Sequence, residues 1–304
     1  MYPERIQASL KPVSPGGPSQ AMRKPTLMRT ATSSFSSYSD PLPPEQSPLV
    51  FLDRKPIAAG EVWIVRDDLL PGGTKQRAVG PYLTRKMEKG AEEFIYASPF
   101  SGFAQVALAA SCKMLGVHAV LFCETDPYCP NQGPHEFTRL AEKQGATIHL
   151  CKDLDEAESR AEAYADAHSS RFKLPLGFSD PQFILDLQLE LERQLKQIAL
   201  LLDGLPPRIW IPVGSGTLAR AFHQALKGRS VLKCVDVQVL PEEHPRFSEL
   251  SCLSHLQLSR APQKFHQKAT NLPPVPSNLY YDAKLWTFLE NEGQNGDLWW
   301  NVAR

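Results

Sequence analysis

From residue 48 onward, short apolar runs alternate with stretches in which apolar positions recur every three to four residues. The runs at 62–65, 94–97, 118–123, 147–151, 208–213 and 231–239 predict buried strands, and the stretches at 76–89, 103–115, 136–144, 154–168 and 218–226 predict helices. Ile184, Leu187, Leu191, Leu195, Ile198 and Leu202 fall at helical spacing while Glu190, Glu192, Arg193 and Lys196 occupy the other positions, so a long amphipathic helix covers this region as scaffold. A helix at 283–289 and a strand at 298–302 close the chain, and 241–277, with its prolines and histidines, reads as mostly loop. Strands separated by helices form parallel sheets covered on both faces, because a parallel crossover needs a long connection. The fold class is α/β.

Composition adds limits. A chain of 304 residues buries a sizeable core and favours two domains over one. Lys plus Arg and Asp plus Glu are both 33, so the formal net charge is zero and no long-range attraction to nucleic acid or anionic membrane is expected. No apolar run reaches the roughly 18 residues that span a bilayer, and the N-terminus lacks a secretory core, so the expected setting is cytoplasmic. Residues 1–46, rich in Pro, Ser, Thr and Gly, read as a disordered extension. Its acid-free stretch 23–37 leaves an organelle transit peptide as the alternative, which Glu4 and the prolines of 12–18 oppose. Cys112, Cys123, Cys129, Cys151, Cys234 and Cys252 show no C-x-x-C pair and no zinc spacing, so they read mostly as buried apolar residues and no metal is expected. Cys123 and Cys129 read as strand-end and loop thiols rather than a redox pair.

Chemistry concentrates at three turns. In Gly72-Gly73-Thr74-Lys75-Gln76-Arg77, a glycine pair after a strand places a lysine in the first turn of a helix. The positive helix end and the neighbouring Arg77 disfavour an ammonium there, which lowers the pKa of Lys75 and makes it a better nucleophile towards a carbonyl. A surface lysine after a turn explains the same residues. The turn Gly214-Ser215-Gly216-Thr217 lets backbone N–H groups converge on an anion at a helix N-terminus, although a tight turn also needs glycine. It lacks the Gly-Lys-Ser/Thr ending of a nucleoside-triphosphate loop and is too short for a dinucleotide fingerprint. The third turn, 98–105, presents Ser101 and exposed amides at the carboxyl edge of a parallel sheet, or simply caps a buried helix. A lysine nucleophile, a phosphate cradle and a carboxylate-sized pocket together are what pyridoxal phosphate requires.

The order Arg66-Asp67-Asp68-Leu69, Gly72-Gly73-Thr74-Lys75-Gln76-Arg77, the Ser-containing turn at 98–105, the loop at 214–217 and the ending Asp297-Leu298-Trp299-Trp300-Asn301-Val302 resembles the tryptophan-synthase-β-like, fold type II pyridoxal-phosphate enzymes. Within them it is most similar to the branch holding aminocyclopropane-carboxylate deaminase and D-cysteine desulfhydrase, and Tyr281-Asp282-Ala283-Lys284 resembles that branch's Tyr-x-Gly-Lys. The resemblance spans 48–304 and implies two α/β domains with a cofactor cleft between them: 47–81 with 176–304 as the larger, 82–175 as the smaller. It implies pyridoxal 5'-phosphate held by Lys75 as Schiff-base lysine, with Gly214, Ser215, Gly216, Thr217 and Asn301 around it. Ser101 joins Lys75 in catalysis, and Ser101, Gly102 and Phe103 meet a small amino-acid substrate. Elimination or deamination is the implied reaction and β-replacement the next, with a homodimer left open.

The chain departs from the family pattern in two places. No Asn lies between Ala97 and Ala109, where Gly102 or Phe103 stands instead, and the usual His-Thr-Gly-Gly ending is Asn301-Val302-Ala303-Arg304. The segment between 239 and the last helix is also short. These departures keep open a binding or regulatory homologue without turnover, and the loop at 214–217 keeps open a nucleotide-dependent transferase. Asp67 and Asp68 are expected to brace the turn near Lys75. Trp299 and Trp300 are expected to pack the last strand, while His135, His223 and His244 have no partner at a telling spacing.

Overall fold

The computed structural model describes residues 47–128, 131 and 133–304. The expected extension at 1–46 and Cys129 lie outside the described residues. The chain begins with an antiparallel hairpin, β1 (Leu52–Ile57) and β2 (Gly60–Arg66), and then alternates helices and strands: α1 (Gly73–Met87), β3 (Glu93–Ser98), α2 (Ala104–Leu115), β4 (His118–Glu124), α3 (Glu136–Lys143), β5 (Thr147–Cys151), α4 (Leu154–Asp166) and β6 (Arg171–Leu174). The long α5 (Pro181–Leu201) leads to β7 (Arg208–Val213), α6 (Thr217–Leu226), β8 (Val231–Asp236), α7 (Pro245–Ser251), β9 (Leu256–Arg260), α8 (Asp282–Glu292) and β10 (Leu298–Asn301). Two sheets result, one in the order β1-β2-β10-β7-β8-β9 and one in the order β5-β4-β3-β6. Every pairing except the hairpin is parallel. The α/β class follows.

Local chemistry explains the boundaries. Asp180 caps α5 by accepting from Gln182 N at 2.8 Å and Phe183 N at 3.2 Å, with Pro181 opening the helix where its missing N–H costs nothing. The predicted stripe Leu187, Leu191, Leu195 and Ile198 is fully buried. Three strands without a sequence signal, β1, β6 and β9, are all sheet edges. Edge strands carry charge and proline to discourage further pairing, and β1 reads Leu-Asp-Arg-Lys-Pro-Ile. The region expected to be mostly loop therefore holds α7 and β9, too short for a period to show.

The core is aromatic at its centre: Trp210, Trp299 and Trp300 are fully buried. Asp297 receives Arg208 through two bonds at 2.9 and 2.7 Å and Trp210 Nε1 at 2.8 Å, which satisfies a buried carboxylate. Cys112, Cys123, Cys151 and Cys234 are buried free thiols, whereas Cys252 is exposed. Among the described residues, no helix is long and apolar enough to cross a membrane. Because parallel strands point the same way, β2, β10, β7 and β3 each deliver the segment that follows to the cavity described next.

Candidate active site

The turn after β2 is built around Asp67. Its carboxylate accepts from Thr74 Oγ1 at 2.9 Å, from Arg77 Nε and Nη2 at 2.8 and 2.6 Å, and from Trp300 Nε1 at 2.9 Å. Asp68 receives Arg66 in a two-bond fork at 2.8 and 2.9 Å. Asp67 thus braces the start of α1, while Asp68 ties the turn back to the end of β2. Gly73 has φ +63, and a β-carbon there would collide with the Val302 carbonyl oxygen. That close approach seats Lys75 against the end of β10.

Lys75 lines a cavity of about 70 Å³ together with Gly102, Phe103, Gly214, Ser215 and Gly216. Burial lowers its amine to about 8. The cause differs from the expected one, since the Arg77 guanidinium is neutralised by Asp67 and desolvation dominates. Asp282, whose negative charge would oppose that shift, is fully buried in the same cavity wall. Burial pushes its carboxyl well above the ordinary range. Its Oδ1 accepts from Val302 N at 2.6 Å, and its Oδ2 has no partner among the described residues.

Opposite stands the turn before α6. Gly216 has φ +83, no side chain caps the helix, and the first-turn amides have no intrahelical acceptor. Ser215 Oγ and Thr217 Oγ1 lie 3.1 Å apart. Glycines admit the turn: a β-carbon at Gly214 would lie 3.0 Å from Tyr281 Cε1, and one at Gly177 would lie 2.5 Å from Ser215 Cβ. Tyr96 lines the same end, its hydroxyl oxygen accepting from Gly177 N at 3.1 Å.

The third turn follows β3. Gln105 Nε2 donates to Gly102 O at 2.8 Å, while its Oε1 accepts from Cys123 Sγ at 3.3 Å, which fixes the loop ahead of α2. Gly102 and Phe103 line the cavity. The hydroxyl of Ser101 is buried, has no partner among the described residues and is not part of that lining.

The structure therefore brings Lys75, Gly102, Phe103, Gly214, Ser215 and Gly216 together, with Thr217 buried at the foot of its helix. Asn301 does not join them: its Nδ2 donates to Pro276 O at 2.8 Å. Val302 and Ala303, just beyond β10, line the cavity, whereas Trp300 turns to Asp67 and Asn301 stays outside the lining. Sequence reasoning gave no role to Asp282, Tyr96 or Gly177, and Asp282 stood there only as the second position of the motif Tyr281-Asp282-Ala283-Lys284.

The family described as "Pyridoxal-phosphate dependent enzyme" matches residues 42–264. No curated protein matches the chain. Among solved structures, the chain is similar to an ACC deaminase homologue at 17% identity and TM-score 0.67, covering 84% of this chain and 90% of that one. It is also similar to O-ureido-L-serine synthase, at 11% identity and TM-score 0.63 over 84% and 88% of the two chains. Diaminopropionate ammonia lyase of Escherichia coli shows 14% identity and TM-score 0.56 over 81% and 78%. At such identities the likeness is one of fold.

Proposed function

The chain belongs to the pyridoxal-phosphate dependent enzymes, and from that premise we propose that it is a lyase or deaminase of a small amino acid working at Lys75. One observation carries the reading: a single cavity holds both the Lys75 amine and the uncapped turn at 214–217. The donor set fits the cofactor. An amine lowered to about 8, a cradle of amides kept open by glycines and a buried carboxyl with a free oxygen are an aldehyde's, a phosphate's and a ring nitrogen's natural partners. When bound, pyridoxal phosphate supplies the carbonyl for amine attachment and a ring that draws electrons from the substrate α-carbon.

The remaining roles belong to the chain. Lys75 Nζ holds the cofactor and then takes and returns the α- or β-proton of the substrate. The amides of 215–218 and the Ser215 and Thr217 hydroxyls bind the phosphate, and Asp282 Oδ2 meets the ring nitrogen. Gly102 and Phe103 bound the substrate end, and Ser101 supports them from behind. Asn301 supports the β10 end through Pro276 rather than touching the cofactor. Segments 47–81 and 176–304 act as the cofactor-binding part and 82–175 as the smaller part that closes on it. A homodimer in the cytoplasm completes the proposal.

The test is the spectrum of the purified protein. Absorbance at the visible edge that disappears in Lys75→Ala, with ammonia and a keto acid released from some member of a D- and L-amino-acid panel, supports the reading. A colourless protein that stays colourless with added cofactor sinks it. A second reading, cofactor binding without turnover, is favoured by Phe103, an apolar ring packed beside Gly73 in the cavity wall. Colour without product from any amino acid, with or without a second nucleophile for β-replacement, would select it.

A further inference from the structure

α7 packs on the turn before α6: a β-carbon at Gly216 would lie 3.2 Å from Leu250 Cδ1. The same helix carries Arg246, whose Nη1 donates to the Ser215 carbonyl oxygen at 3.4 Å. That is a long bond for a group with five N–H donors. Its neighbour Arg220 takes the close ion pair with Glu249, so that carboxylate reaches Arg246 only through longer-range attraction. It is half-buried, and desolvation and Arg220 act against its charge more than Glu249 and Tyr96 support it. Tyr96 is a further electrostatic neighbour, with its oxygen engaged by Gly177 N and its hydrogen available to another acceptor. A partly desolvated cation with spare donors is costly unless an anion completes it.

The cradle has the opposite shortage. A helix N-terminus offers about half a positive charge, whereas a phosphate monoester carries about −1.5 to −2 near neutrality. Amides alone leave most of that charge unmatched. A guanidinium supplies a full charge and a planar pair of donors.

We propose that Arg246 is a phosphate-binding residue, whose guanidinium completes the cradle of Ser215, Gly216 and Thr217 and makes the chain select phosphorylated over dephosphorylated pyridoxal. The proposal rests on the cofactor reading above and adds the residue that sets its affinity. α7 carries this cation to the rim of the turn from a part of the chain without a recognisable motif.

Cofactor-free full-length protein, titrated with pyridoxal 5'-phosphate and separately with pyridoxal, decides it. In Arg246→Ala and Arg246→Gln the dissociation constant for pyridoxal phosphate rises about ten- to a hundredfold, the usual cost of charged hydrogen bonds, while that for pyridoxal changes less than about twofold. Arg246→Lys recovers part of the loss. Inorganic phosphate raises the unfolding temperature of the wild type and not of Arg246→Ala. An unchanged constant in Arg246→Ala, or an equal loss for both ligands, overturns the proposal. Should the wild type take up no pyridoxal phosphate, the cofactor reading fails by itself. Phosphate protection then still judges Arg246, and its retention in Arg246→Ala overturns the anion role.

Discussion

Gly177→Ala tests whether the two halves of the site are held by contact between backbone turns. Gly177 sits at φ 66 and ψ 13, in the left-handed region, immediately ahead of α5. Alanine there costs about 1–2 kcal/mol, offset by about 0.4–1 kcal/mol from a stiffer unfolded chain. The larger effect is steric. The new methyl would stand 2.5 Å from Ser215 Cβ and closer still to its Oγ, so the turn before α6 must move. Overpacking of this kind costs about 1–3 kcal/mol, and the net expected is about 2–4 kcal/mol. Urea unfolding of the cofactor-free protein measures it, and titration with pyridoxal phosphate shows the accompanying loss of affinity. Ser215→Gly removes the atoms struck, so the double variant regains about 1–3 kcal/mol relative to additivity. If Gly177→Ala unfolds within about 0.5 kcal/mol of wild type, or the double variant is additive within that margin, the described approach of the two turns is wrong.

Other outcomes follow from the same geometry. Asp67→Ala removes the close carboxylate of the Arg77 guanidinium, whose side chain is 2% exposed and keeps only Glu190 at 3.7 Å as an ion-pair partner, and should cost about 3 kcal/mol in chemical denaturation. Lys75 has a folded pKa of about 8 against an ordinary 10.5, so folding expels its proton and stability rises with pH between those values. In the cofactor-free protein, Lys75→Met therefore raises the urea midpoint at pH 7, and its advantage shrinks as pH climbs through 8 towards 10.5. An advantage that stays constant with pH would count against a buried amine. Asp282 works in the opposite sense: its folded pKa is raised, so the wild type loses stability as pH rises above the ordinary 3.8. Asp282→Asn, which keeps the acceptor for Val302 N, should match or exceed wild-type stability at pH 7, and the difference should vanish below pH 3.8.

How much was legible beforehand varied with position in the sheets. Central strands such as β7 and β8 are apolar on both faces and announce themselves, whereas the edge strands β1, β6 and β9 carry the polar residues that edges need and read as loop. At the site, glycine turns between strand and helix were visible because backbone geometry demands glycine locally. Asn301 was named from the resemblance, and its Nδ2 is engaged by the Pro276 carbonyl, a contact between segments that no local spacing shows.

The sequence by itself determined the α/β alternation, the lysine behind a glycine pair and the open turn at 214–217, because each depends on residues adjacent in the chain. Tertiary structure alone decided what surrounds them. The depressed amine of Lys75 comes from burial rather than from Arg77, Asp282 and Tyr96 reach the cavity from segments far apart in the chain, and Arg246 reaches the Ser215 carbonyl from another. Desolvation and convergence are properties of packed neighbours, and no local spacing encodes them.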